Sequence, residues 1–175
     1  MTKIKLEKYF NSFYSELRKY TDGIHVLDKG ITEQEILEFE GKYNICLPFY
    51  YREWLKINNG GELFATPVGT SIVGILGDRE RKKGVGYLED NFDINKRCGM
   101  PDFFFIIART CLGDVYGFDL SRTNEKDGVI IFWNHEMDEF TEEWDTFGEW
   151  LNEEMQNGKM LINYDGSESD YFDFL

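Results

Sequence analysis

The side chains best placed to do chemistry in this sequence are Asp114, Asp119, His135 and Glu136. All four fall at or near the ends of adjacent predicted strands. A histidine beside carboxylates could act as a general base or help to bind a metal ion. The spacing argues against both roles. No His-Glu-x-x-His, no Cys-x-x-Cys and no comparable ligand spacing occurs, and the second histidine, His25, would have to join from far along the chain. Phosphate-cradling glycine motifs are absent, since Gly84-Val85-Gly86 alone does not make one. No nucleophile elbow is present, and Cys111 has no protease or transferase signature around it. The chain is therefore read as non-catalytic, with no cofactor and no metal site. An enzyme or metal binder built on His135 and its neighbouring carboxylates is the minor alternative.

Binding is a better reading than catalysis, because the charge is so unevenly spread. The 175 residues carry a net charge of −14, and almost all of it lies late in the chain. Residues 127–175 hold 14 acidic side chains against the single base Lys159. Such a field repels nucleic acid and anionic membranes and attracts basic partners. Glu136, Asp138, Glu139, Glu142 and Glu143 are the candidate partner-binding acids, since they fall between the last main strand and the final helix. Trp144 and Tyr116 are either aromatic anchors for a partner or core residues. The plainer alternative is a solvated acidic face that keeps the protein soluble.

Cys46, Cys98 and Cys111 are odd in number and lack paired spacing, as expected of reduced thiols in the cytoplasm. Lys3, Lys5, Glu7 and Lys8 interrupt any apolar run at the start, so no signal peptide is expected. The longest clean apolar run, 103–108, is too short to span a bilayer.

The elements that must position these acids can be read from periodicity. Leu6, Phe10, Phe13, Tyr14 and Leu17 share one face of a helix predicted over 3–20. Thr32 and Glu35 form a capping box for a second helix, with Ile31 and Ile36 as its hydrophobic staple. Pro48 is placed in the first turn of a third helix, whose stripe is Tyr50, Trp54 and Ile57. Asn59, Gly60 and Gly61 are read as its stop. Residues 62–64 and 71–75 are short strand candidates. Residues 77–100 are read as a long loop with a helical turn near 87–92. Strands follow at 103–109, 114–120 and 129–133, with a shorter one at 139–141. A last helix starts at Thr146, with Glu149 completing a second box and Asn157-Gly158 closing it. Residues 160–164 are a final strand or extended edge, and 165–175 form an acidic, aromatic tail.

Leu47-Pro48, an aromatic at Tyr51, Trp54-Leu55 and Asn59-Gly60-Gly61, in that order and at close spacing, resemble the N-terminal signature of the SUKH superfamily, the Smi/Knr-type domain. Gly113-Asp114, the strand ending at Asp119 and Thr146-Phe147-Gly148-Glu149-Trp150-Leu151 are similar to its later elements. The resemblance covers roughly residues 31–157. It implies an α+β fold, a largely antiparallel or mixed sheet with about four helices packed against it. Length and composition give one domain over 1–164 followed by the tail 165–175. Many bacterial members are immunity proteins of polymorphic toxin systems, which implies a cytoplasmic protein that neutralises a cognate toxin domain, basic if it is a nuclease. Fungal members imply the alternative of a regulatory or scaffold domain. The family offers no catalytic motif to carry over.

Overall fold

The computed structural model describes residues 3–65, 69–76, 91–124 and 126–170. Strands β1 (Val26–Leu27), β2 (Gly61–Leu63), β3 (Thr70–Ile72), β4 (Phe104–Arg109), β5 (Val115–Asp119), β6 (Ile130–Asn134) and β7 (Glu139–Trp144) form one sheet. They pair antiparallel in chain order, a meander with β4 at the centre and β1 and β7 at the edges. Helices α1 (Lys3–Leu17), α2 (Glu33–Tyr43), α3 (Phe49–Leu55), α4 (Asn91–Cys98) and α5 (Phe147–Leu161) complete an α+β fold.

The continuous apolar run of β4 follows from burial on both faces. Successive strand residues point to opposite sides. Phe105 and Ile107 join the larger core, with Phe10, Phe13, Ile36, Trp54, Phe147 and Trp150. Phe104 and Ile106 join a second core with Val73, Ile94, Val115 and Ile131. A register shift between Ile106 and Ala108 marks a bulge.

Helix α4 lies where the sequence predicts a loop with a helical turn near 87–92, and polar anchoring explains the longer helix. Strand β3 is too short to pair with the first half of β4; its partners there are only Arg109 and Ala108. Side-chain amides fill the gap. Asn91 donates to the Ile106 carbonyl, while Asn95 donates to the Phe104 carbonyl and accepts from the Ile106 N–H. These amides satisfy buried peptide groups as a neighbouring strand would. Two asparagines leave no hydrophobic periodicity to read. Residues 77–90, including the basic run 79–83, lie outside the described residues.

Helix ends follow local chemistry with two exceptions. Thr32 and Glu35 form the reciprocal capping box, and Asn44 ends α2 in a left-handed conformation. The Thr146 side chain accepts from the Glu149 N–H, the expected half of the second box. Gly158 does not close α5, which runs on to Leu161. A Cβ there would lie 2.0 Å from the Phe64 ring, so the glycine makes room for a packed aromatic. Gly60 and Gly61 do not stop α3 either, since it ends at Leu55. They have φ of +97° and +126° and lead into β2. A Cβ on Gly60 would meet the Ile72 carbonyl at 2.6 Å, and one on Gly61 the Val26 carbonyl at 2.4 Å. Backbones from three strands pass too closely for any other residue. Beyond α5, Ile162 bridges Glu168 and the chain turns back through 163–169.

Candidate protein-docking edge

The predicted acids fall on one structural feature, the edge hairpin β6–β7. Glu136 and Asp138 lie in its turn, where the Asn134 side chain accepts the N–H groups of Glu136 and Met137. Asp138 takes a φ of +57°, which a short acidic side chain tolerates. Glu139, Glu142 and Glu143 lie on β7 itself and are exposed. Among the described residues, β7 makes backbone strand bonds to β6 alone, so its outer N–H and C=O groups are open.

The two faces of this edge differ. Opposite Phe132 and Ile130, Glu142 and Trp144 point toward the side covered by α5. There Glu142, Glu143, Trp144, Asp145, Glu149 and Glu153 line an open cleft of about 490 Å³ with no basic residue in its wall. The Trp144 indole N–H donates to Glu153 at 2.7 Å, which fixes one wall. On the other face, Phe103, Ile131 and Phe140 form the apolar floor of a cleft of about 370 Å³. Arg122 rims it, binding Asp119 at 2.7 Å and Glu143 at 2.8 Å. Glu143 is thus partly neutralised, whereas Glu139 and Glu142 carry no ion pair among the described residues.

Sequence reasoning missed Asp145, Glu149 and Glu153, the second wall of the acidic cleft. The signal was present: Glu149 and Glu153 are four apart, on one face of α5. Trp144 and Tyr116 are core residues. Trp144 is 9% exposed. Tyr116 is half-buried, its ring centroid 5.6 Å from Trp144 and 5.5 Å from Trp150.

The constellation considered for catalysis comes apart. Asp114 and His135 meet, with ring Nδ1 to Asp114 Oδ1 at 2.7 Å and the His135 N–H donating to the same oxygen at 3.1 Å. Burial pushes the Asp114 carboxyl up, but these bonds and one from Thr110 outweigh it and hold it below the usual range. Asp119 sits at the other end of β5, roughly 15 Å away at strand spacing, bound to Ser121 and Arg122. Burial again opposes ionisation there, and those partners hold the carboxyl low. Each aspartate tethers a strand end. Gly113, with φ +102°, packs beneath the His135 ring. Among the described residues no group of three His, Cys, Asp or Glu could hold a metal ion, and no helix is long and apolar enough to cross a membrane.

The N-terminal signature residues are equally structural. Leu47 is buried and its N–H donates to the buried Glu40 carboxylate at 2.7 Å. Pro48 is the N-cap of α3, and Trp54 is fully buried. Asn59 accepts from the Ile75 N–H at 3.0 Å, joining the start of β2 to the chain beyond β3.

The fold is thus an α+β meander with helices on its faces and an acidic open edge. The sequence profile of the SMI1/KNR4 family (SUKH-1) matches residues 30–153, and the chain belongs to that family. Comparison with curated protein sequences gives no significant match.

Proposed function

We propose that this protein is a non-catalytic, cytoplasmic immunity protein that binds a cognate toxin domain through the β7 edge and blocks it. The observation that carries the reading is the acidic cleft between β7 and α5, where five carboxylates gather and only Glu143 has a basic partner, Arg122. A nuclease groove is basic, and an acidic inhibitor is its electrostatic complement. Membership of the SMI1/KNR4 family supports the same reading. The roles found for Asp114 and Asp119, tethering strand ends, favour a binding module over an enzyme.

Co-expression with the toxin encoded by the neighbouring gene tests the proposal. Growth should be restored and a stable complex should co-purify. Continued toxicity with no complex would dismiss it.

A further inference from the structure

We propose that the partner docks by adding an extended strand to the open edge of β7, and that this strand alternates basic and apolar side chains. The inference rests on the proposed basic protein partner and names how it is held.

Three features converge on that edge. The outer backbone groups of β7 are unpaired among the described residues, a ready template for another strand. The opposite edge is weaker, because β1 has only two residues. Clefts open on both faces of the same strand, and both include Glu142 and Glu143. A strand laid against β7 sends alternate side chains to these two faces. Those facing α5 meet Glu142, Glu149 and Glu153, which suit lysine or arginine. Those on the other side meet Phe103, Ile131 and Phe140, which suit valine, isoleucine or leucine.

Edge charges normally oppose strand pairing, because an apolar or acidic strand cannot approach them. Here they leave one class of strand able to pair. The β6–β7 register shift at Phe132 and Trp133 places the bulge toward the turn. From Glu142 to Trp144 the alternation is regular, and that segment holds Glu142 and Glu143, which both clefts share.

The test uses the full chain and a blocked octapeptide alternating lysine and valine. A peptide with the same composition in two blocks, four lysines then four valines, is the control. Amide hydrogen exchange across 139–144 should slow about tenfold or more with the alternating peptide, while the block peptide leaves it unchanged. The pair Glu142→Gln and Glu149→Gln should weaken binding roughly tenfold, as expected from losing two partly exposed charge contacts. Failure of the peptide to bind, protection elsewhere, or equal protection by the block peptide would each overturn strand addition. If the toxin is nevertheless neutralised on co-expression, the immunity reading survives without this docking mode. Protection at β7 without toxin rescue would uphold strand addition and reject the toxin as partner.

Discussion

Replacing Glu40 should expose how much the α2–α3 junction depends on one buried carboxylate. Its side chain accepts the Leu47 N–H at 2.7 Å and binds Arg52 at 2.6 Å, and it is only 9% exposed. Glu40→Ala leaves the Leu47 N–H buried and unpaired. A hydrogen bond to a charged acceptor contributes about 1.5–3 kcal/mol. The Arg52 contact adds about 1 kcal/mol or less, because Arg52 keeps its more exposed pair with Glu33. The expected loss is about 3 kcal/mol, a large part of a typical 5–15 kcal/mol stability. In a chain of this size that lowers Tm by roughly 6–12 °C. Glu40→Gln retains an acceptor for Leu47 and should lose less than half as much. Urea unfolding followed by tryptophan fluorescence, together with calorimetry, measures both variants. A loss below about 0.5 kcal/mol for Glu40→Ala, or equal losses for the two variants, would show that the Glu40 carboxylate does not hold the junction.

Other outcomes follow from single contacts. The half-buried His25 ring accepts the Phe64 N–H at 3.1 Å, and burial lowers its pKa to about 4, so the unfolded state binds the proton more tightly. The stability contributed by neutral His25 is complete above pH 6.5 and is lost as pH falls toward 4. Solvent screening of the partly exposed ring reduces the full-shift value to about 1–2 kcal/mol. The stability difference between wild type and His25→Gln, read from urea midpoints at pH 7.5 and pH 5, should shift by about 1 kcal/mol, because pH 5 crosses only part of that window; a constant difference would reject it. Gly158→Ala should destabilise by about 1–3 kcal/mol through overpacking against Phe64, whereas a simple gain in helix propensity would raise Tm. Asn95→Ala should cost about 2–4 kcal/mol by orphaning β4 peptide groups, with faster hydrogen exchange at Ile106. Unchanged exchange there would show that α4 does not stand in for a strand.

The fold was legible wherever hydrophobic period and capping chemistry agree. The Thr32 box, the Phe10 and Phe13 face of α1 and the central run of β4 were all readable because burial dictates residue type along the chain. Helix α4 was not, because its anchors are asparagine amides reaching a strand, and such bonds leave no periodic trace. Gly60, Gly61 and Gly158 resemble helix stops in sequence, yet each serves a close approach that only the assembled sheet and helices reveal. The acids of β7 could be read from charge alone. Their companions Glu149 and Glu153 needed the α5–β7 packing to become neighbours. Of the constellation Asp114, Asp119, His135 and Glu136, only Asp114 and His135 meet, because Asp119 lies at the other end of its strand.

The proposed capture of a basic partner depends on the unpaired acids of β7 and of the facing helix α5. It is tested most directly by the association rate with the toxin domain of the neighbouring gene, measured from low to physiological salt. Charge reversal at Glu139, Glu142 and Glu149 should slow association about tenfold or more at low salt and flatten the salt dependence. Identical rates and salt slopes for wild type and variant would rule out electrostatic capture by these acids.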